Sequence, residues 1–243
     1  MSTIVTNQIN PFFIGGDITL NGTAIRSNPN ETIIGIGKFS LQNATGSNNT
    51  AIGRAALTTV TTGDDNVAVG NGGLQLCTGN NNTAIGRNAG YTTTTGTNNI
   101  FLGHISVGST VTASNEITLG NSANTVLRCQ ATSITSLSDG RDKKEVQPLE
   151  VGLSFINQLK PVTFVWNDRD ENGKRDVKDF GFIAQDLKNA QEETSISDTL
   201  KLVYESNPDK LEASYGKLIP ILVKSIQDLS SEIEELKKLI SLK

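Results

Sequence analysis

The 243-residue chain has few of the residues that build metal centres, disulfide frameworks and large aromatic cores. It contains 2 cysteines, 1 histidine, 1 tryptophan and 6 prolines, and aromatic residues make up 5% of the total. Cys77 and Cys129 belong to neither a CxxC motif nor a paired histidine spacing. Both are therefore expected to be small packed residues and not a disulfide or a metal pair. No cofactor is predicted.

Charge is also scarce, and its absence excludes several functions. The net charge is −4 without a basic cluster, which leaves no electrostatic footprint for nucleic acid. Residues 1–4 lack a basic region, and no apolar run is long enough for a signal peptide or a membrane span, so we expect synthesis and folding in a cytoplasm. Between Lys38 and Thr112 the only acids are Asp64 and Asp65, adjacent in one turn. A glycan hydrolase needs two positioned carboxylates, so that activity is disfavoured.

The first half of the chain is instead filled by a repeat. Aliphatic-glycine pairs recur with their glycines 16, 17, 16, 17 and 17 residues apart, at Ile36-Gly37, Ile52-Gly53, Val69-Gly70, Ile85-Gly86, Leu102-Gly103 and Leu119-Gly120. Such a fixed period indicates a stacked repeat architecture. Each unit offers a short alternating strand that ends in glycine, and one unit buries too little apolar surface to stand alone. His104 occupies the repeat position of Arg54 and Arg87, so it is expected to be a surface residue and not a ligand.

The repeats resemble the head repeats of trimeric autotransporter adhesins and the similar repeats of phage fibres. The resemblance implies a mainly β, trimeric β-roll or β-helix with aliphatic residues inward and Asn, Thr and Asp loops outward. Residues 33–137 would then be the β-repeat shaft or tip of a fibre. Residues 1–32 contain short strand-like pieces broken by turns, and they are either an attachment segment or a cap over the first repeat.

A change in composition at Ser138 predicts a second domain. Most charged residues lie after Asp139, whereas Asn, Thr, Gly and small aliphatic residues fill the chain before it. A serine is a poor nucleophile until a base removes its proton, and a lysine serves as that base only when burial or nearby cations lower its pKa. Arg141 flanks Lys143, and packing against other subunits would desolvate it, so Ser138 could attack the preceding carbonyl. The alternative is an ordinary polar linker, because Ser, Asp and Gly are also turn formers.

The order Ser-Asp-x-Arg-x-Lys at 138–143 resembles the start of the self-cleaving intramolecular chaperone of phage tail spikes, tail fibres and endosialidases. The segments 161–166 and 181–187 are similar to that family's strand and its Gly-aromatic-aliphatic-Ala-Gln-acid-aliphatic helix, and 202–204 precedes a terminal coiled coil as the family expects. The resemblance covers 138–243 and implies a small α+β chaperone domain.

The same resemblance assigns roles at the junction. It implies that Ser138 and Lys143 form a catalytic dyad that cuts the chain once, between Leu137 and Ser138. Asp139 and Arg141 match conserved family positions, and we assign them to holding the turn.

Within the second domain, apolar residues at Leu149, Leu153, Ile156 and Leu159 predict a helix that stops at Pro161. Residues 162–166 then read as a strand, followed by a turn with the hairpin signal Asn-Gly at 172–173.

Two interpretations of that turn stay open. It is either a solvated hairpin or a calcium loop, whose ligand positions would be occupied by Asp168, Asp170, Asn172, Asp176 and Asp179. The twelfth position of the pattern is Asp instead of Glu, and the flanks are not two helices. Both departures disfavour calcium.

The last helix carries an unbroken heptad over 218–243. Isoleucines occupy the a positions and leucines the d positions, namely Ile219, Leu222, Ile226, Leu229, Ile233, Leu236 and Ile240. This predicts a coiled coil. Isoleucine at a with leucine at d favours two strands, which conflicts with the trimer that the fibre resemblance implies. We expect the repeat stack to impose the trimer.

Together these features predict a homotrimeric virion tail fibre protein for host attachment. Its expected partners are other virion tail proteins and a host surface receptor, for which a glycan is one candidate. It would be trimerised by a C-terminal chaperone that then cuts itself off. The alternative is a structural or receptor-binding fibre that retains an uncut, non-proteolytic domain. Membrane-tethered transcription factors that use the same chaperone are disfavoured, because the chain lacks a membrane span and a DNA-binding domain.

Overall fold

The computed structural model describes residues 18–20, 23–28, 33–59, 62–124, 126–130, 134–167, 169 and 176–242. The chain divides into two compact units, Met1–Thr125 and Val126–Lys243. The first is a parallel β-solenoid, and the second is a small α+β unit that ends in a long helix. This is the predicted fold class. The domain boundary predicted between residues 137 and 138 rests on the expected cleavage site, and it stays a prediction.

Within the described residues, the first unit forms one eight-stranded sheet in chain order. Its strands are β1 (Ile18–Leu20), β2 (Thr23–Asn28), β3 (Ile33–Ile36), β4 (Thr50–Ile52), β5 (Val67–Val69), β6 (Thr83–Ile85), β7 (Ile100–Leu102) and β8 (Ile117–Leu119). Strands β3 to β8 pair in parallel, each exactly one repeat from the next, so that Ala51 lies beside Ala68 and Ala68 beside Ala84. The period of the sequence is therefore one coil of the solenoid.

The N-terminal strands run differently from the repeats. β1 and β2 form an antiparallel hairpin, and β2 pairs antiparallel with β3. The hairpin therefore covers the edge of the first repeat strand, as a cap would. The predicted pieces before residue 18 lie outside the described residues, and a role of 1–32 in attachment stays a prediction.

The glycine that ends each repeat strand is required by the close approach of successive coils. Gly37 has φ of +130°, and a Cβ added there would lie 2.7 Å from the carbonyl carbon of Gly53 in the next coil. Positive φ and a backbone contact this short exclude any side chain. The aliphatic-glycine pair recurs because the chain makes the same turn at the end of the strand in every coil.

A ladder of buried asparagines holds the coils together from inside. Asn49, Asn66, Asn82 and Asn99 are fully buried, one in each coil. Each Oδ1 accepts the backbone N–H of the ladder residue in the following coil, at 3.0 Å from Asn66 to Asn49 and 2.9 Å from Asn82 to Asn66. Each Nδ2 donates to a turn carbonyl, as Asn82 does to Gly96 at 2.9 Å. Buried backbone groups are thus satisfied coil by coil.

We expect the substitution Asn82→Ala to destabilise the solenoid by about 2–5 kcal/mol. It leaves the buried carbonyl of Gly96 and the N–H of Asn99 without these partners, and a buried group left unpaired costs about 1–3 kcal/mol. Urea unfolding of the full-length variant measures the loss. Thr95→Ala, at an exposed turn position, is the control and should change stability little. An equal effect of the two substitutions would contradict a structural role for the ladder.

Repeat strands turn their aliphatic residues outward from each coil, contrary to the inward orientation implied by the adhesin resemblance. The middle residue of a strand is buried, and it is small in most coils, as at Ala51 and Ala68. A three-residue strand alternates, so its two outer residues share the other face. We call this surface the apolar face, made of Ile34, Ile36, Ile52, Val67, Val69, Ile85, Ile100, Leu102, Ile117 and Leu119 with Thr50 and Thr83. Leucines from the turns, Leu41, Leu57 and Leu74, fill the interior instead, together with Phe101 of β7.

The second unit packs short elements against the start of the long helix. Its elements are α1 (Leu153–Ile156), β9 (Val162–Val165), β10 (Lys178–Gly181), α2 (Ala184–Glu192), α3 (Ser197–Leu200), β11 (Val203–Tyr204), β12 (Glu212–Ala213) and α4 (Leu218–Ser241). β9 and β10 form an antiparallel hairpin, as do β11 and β12. The core is Val151, Phe155, Leu187, Ala190, Leu200, Leu202, Val203, Leu218 and Ile221.

The predicted helix over 149–159 is shorter than the apolar spacing indicated. Gly152 lies immediately before α1 with φ of −147° and ψ of −125°, which is not helical. Leu149 and Leu159, outside the helix, still pack against the core. The prediction of a helix is confirmed for residues 153–156 alone, because the glycine limits the helix to one turn.

Candidate functional site: the junction at Ser138 and the exposed face of the last helix

The junction motif folds into a single tight turn. Residues Gly140–Asp142 form one turn of 3₁₀ helix, and the N–H of Lys143 closes it on the carbonyl of Gly140 at 3.2 Å. Asp139 caps the turn, since its Oδ1 accepts the N–H of Arg141 at 2.9 Å. An aspartate at this position is a preferred cap because its carboxylate satisfies a free backbone donor.

Asp139 and Arg141 form an ion pair across this turn. The Arg141 guanidinium donates to both carboxylate oxygens, with Nη2 2.6 Å from Oδ2 and Nε 3.0 Å from Oδ1. These hydrogen bonds lower the pKa of Asp139 and raise that of Arg141. Both residues are exposed, so the pair shapes the turn more than it stabilises the domain. This geometry fits the turn-holding role assigned to them.

The same turn brings Lys143 back to Ser138. Lys143 Nζ lies 2.6 Å from Ser138 Oγ and 3.0 Å from the Ser138 carbonyl oxygen. A base must lie within about 2.6–3.2 Å of the hydroxyl whose proton it takes. The two residues predicted as a dyad are therefore in hydrogen-bond contact within one chain.

The peptide bond before Ser138 is open to attack. The side chain of Leu137 is 99% exposed, and the residues on either side of it are also exposed. Ser136 Oγ lies 3.5 Å from the carbonyl oxygen of Leu137. Motif matching missed Ser136, because it precedes the hexapeptide. Its hydroxyl lies beside the carbonyl where charge would develop.

In the single chain both Ser138 and Lys143 are exposed. The desolvation that makes a lysine an effective base is therefore not supplied by this chain's own packing. The predicted mechanism also needs Lys143 to be desolvated, and this would require another surface to cover the junction.

The calcium-loop hypothesis falls only partly on described residues. Asp168, Asp170 and Asn172 lie outside them. Asp179 pairs with Phe164 in the β9–β10 hairpin, and its Oδ2 accepts the indole N–H of Trp166 at 3.1 Å. Asp176 has φ of 60°, typical of a turn. Among the residues that the structure describes, no three histidines, cysteines or acids converge on a metal position.

The cysteines and the histidine occupy ordinary positions. Cys77 is buried in the solenoid core, and burial raises the pKa of its thiol. Cys129 is exposed, so the expectation that it is packed is wrong. His104 lies on the surface, as predicted, with Nε2 3.4 Å from Arg87 Nη1 in the preceding coil. In the described part of the chain, no helix is both long and apolar enough to cross a membrane.

The helix α4 presents two apolar faces. One, with Leu218, Ile221 and Ser225, is buried in its own domain. The other is the heptad seam, defined by Ile219, Leu222, Ile226, Leu229, Ile233, Leu236 and Ile240, and every member is exposed, between 42% for Leu229 and 72% for Ile240. A single chain therefore leaves the predicted coiled-coil seam without cover.

Comparison with known families agrees with the motif at the junction. Neither the curated proteins nor the solved structures contain a match to this chain. Residues 138–196 match the family model described as chaperone of endosialidase, and this match begins at Ser138. The segment that follows the solenoid is thus similar to the chaperone family that its sequence motifs indicate.

Proposed function

We propose that residues 138–243 are the trimerisation chaperone of the β-solenoid, and that the whole chain is a virion tail fibre protein for host attachment. The observation that carries the proposal is the exposed heptad seam of α4 beside a buried face of the same helix. The buried face fixes α4 to its own domain, so the seam is left for other copies. The family match at 138–196 supports the same assignment.

The seam is long enough to hold chains together. α4 has 24 residues, about 36 Å of helix. Exposed apolar patches of this size mark interaction surfaces in soluble proteins. Three copies would bury the a and d residues against one another. The solenoid's apolar face would be brought together by the same association.

We expect the full-length protein to sediment as three chains. Ile233→Asp should abolish the trimer, because it would place unpaired charges in a buried a layer. Ser231→Asp introduces the same charge at an f position, away from the seam, and should leave the trimer intact. Native mass measurement of the three proteins distinguishes these results. A monomeric or dimeric wild type would contradict the proposal.

A second proposal concerns the junction, and it rests on the 2.6 Å contact between Lys143 Nζ and Ser138 Oγ. In the proposed step, Ser138 Oγ attacks the carbonyl carbon of Leu137 while its proton passes to neutral Lys143. The carbon–nitrogen bond before Ser138 breaks, and the nitrogen takes up a proton to become a free amine. The resulting ester is hydrolysed by one water.

The exposure of the dyad suggests how the reaction would be timed. Lysine acts as a base when it loses hydration or lies near other cations. Arg141 and Lys144 flank Lys143 in every copy. Packing of neighbouring copies around the junction would desolvate Lys143 only after assembly. The alternative is a fibre that keeps an uncut chaperone domain, and the mass of the assembled protein decides between them.

Localisation and partners follow from the fibre assignment and are part of the proposal. The chain would be synthesised in a host cytoplasm and incorporated in the virion tail. Its partners would be further copies of itself, other tail proteins and a host surface receptor, with a glycan as one candidate.

A further inference from the structure

Two columns of polar side chains, asparagines with some charged residues among them, flank the repeat strands of the solenoid, one at each end of the strands. The start column lies two residues before the repeat strands and contains Asn48, Asp65, Asn81, Asn98 and Asn115. The end column lies two residues after them and contains Lys38, Arg54, Asn71, Arg87, His104 and Asn121. Each of these residues is exposed, apart from the half-buried Asn121.

Side-chain contacts join some members of each column from one coil to the next. Asn48 Nδ2 donates to Asp65 Oδ1 at 2.9 Å, and Asn98 Nδ2 donates to Asn115 Oδ1 at 2.8 Å. In the end column, Arg87 Nη1 is 3.4 Å from His104 Nε2. Between the columns lies the exposed apolar face. Asp65 is thus the acidic member of the start column, whereas the end column carries the arginines.

A cyclic assembly brings opposite columns together. If three copies turn their apolar faces to a common axis, the start of each strand meets the end of the corresponding strand in the next copy, since a cyclic interface is heterologous. Rotation about the axis keeps each strand at its own level. Asp65 and Asn71 flank the same strand, β5. Asp65 of one copy would then face Asn71 of the next, with Arg54 and Arg87 one coil below and above, about 4.8 Å away along the stack.

We propose that Asp65 of each copy pairs with Arg54 and Arg87 of the adjacent copy across the interfaces of the solenoid trimer. The inference rests on the proposed trimer. Asn71, the uncharged position between the two arginines, leaves space for the incoming carboxylate.

A double-mutant cycle on the full-length protein tests the pairing. Within one chain, Arg54 and Asp65 lie on opposite columns, roughly 15–20 Å apart for an extended strand, and residues that far apart are additive. Asp65→Asn removes the charge but keeps an amide oxygen for Asn48 and a residue that tolerates φ of 58°. Arg54→Gln removes the facing cation.

At low salt we expect each single substitution to speed urea-induced unfolding of the trimer about tenfold, because the pair recurs in every copy. The double variant should unfold no faster than the faster single variant. Lys38→Gln with Asp65→Asn is the control cycle, since Lys38 lies two coils from the level of Asp65, and its effects should multiply. If the wild type is a trimer and the effects of the Arg54 and Asp65 substitutions multiply, the pairing is wrong but the proposed trimer stands. A monomeric wild type would overturn both the pairing and the proposed function.

Discussion

Residues 1–137 should aggregate when they are expressed without the rest of the chain, whereas the full-length protein should give soluble trimers. The solenoid exposes an apolar face along its whole described length, including Ile34, Ile85 and Leu119 at 53%, 47% and 54%. In a chain without the C-terminal domain, no coiled coil would bring the copies together before these faces associated non-specifically.

The physical reason is that folding of the solenoid loses chain entropy before it gains stabilising contacts. Each parallel strand pairs with a partner 16 or 17 residues away, so loop-closure entropy is lost before contacts repay it. Partly folded coils with open strand edges associate non-specifically. The seam of α4 reduces this difficulty, because tethering raises the local concentration of the three repeat segments to roughly millimolar.

The test compares residues 1–137, the full-length chain and the uncut variant Ser138→Ala under identical expression. Solubility and sedimentation provide the readout. We expect the truncated chain in the insoluble fraction and the variant as a soluble trimer. If residues 1–137 alone gave a soluble and correctly trimeric solenoid, residues 138–243 would not be its chaperone.

The solenoid could be predicted from the sequence because one local constraint recurs in every coil. Gly53, with φ of +132°, has a conformation and a backbone contact that only glycine permits. The spacing of the glycines therefore shows the period of the repeat. The direction of the aliphatic residues was not predictable in the same way. Alternation shows that Ala51 and Ile52 point to opposite faces, but which of them faces the interior depends on the packing of the whole coil, where Leu57 and Leu74 from the turns fill the core.

The candidate site shows a similar division. The spacing of Ser138 and Lys143 implied a dyad by resemblance, and the tight turn capped by Asp139 accounts physically for the contact. The sequence does not show whether another surface covers Lys143, and in the single chain it is exposed. The single chain therefore provides the geometry of the dyad without its desolvation.

Ser138→Ala and Lys143→Ala should each leave the chain intact at 25.9 kDa, whereas the assembled wild type should separate into residues 1–137 and 138–243. Removing the serine removes the nucleophile, and removing the lysine removes the base 2.6 Å from it. Loss of either member of such a dyad lowers the rate by roughly 10³-fold or more. Intact mass spectrometry after assembly reads the result directly.

Two exposed residues without a role in the proposed step provide matched controls for this experiment. Thr135→Ala removes a hydroxyl from the same exposed segment, and Lys160→Ala removes a lysine outside the junction, so both variants retain the dyad and should still be cut. The coiled-coil variant Ile233→Asp should not be cut, because without assembly nothing desolvates Lys143. Cleavage that persisted in Ser138→Ala would exclude the dyad. A wild type that stayed whole after forming trimers would establish the alternative, a fibre that retains its chaperone.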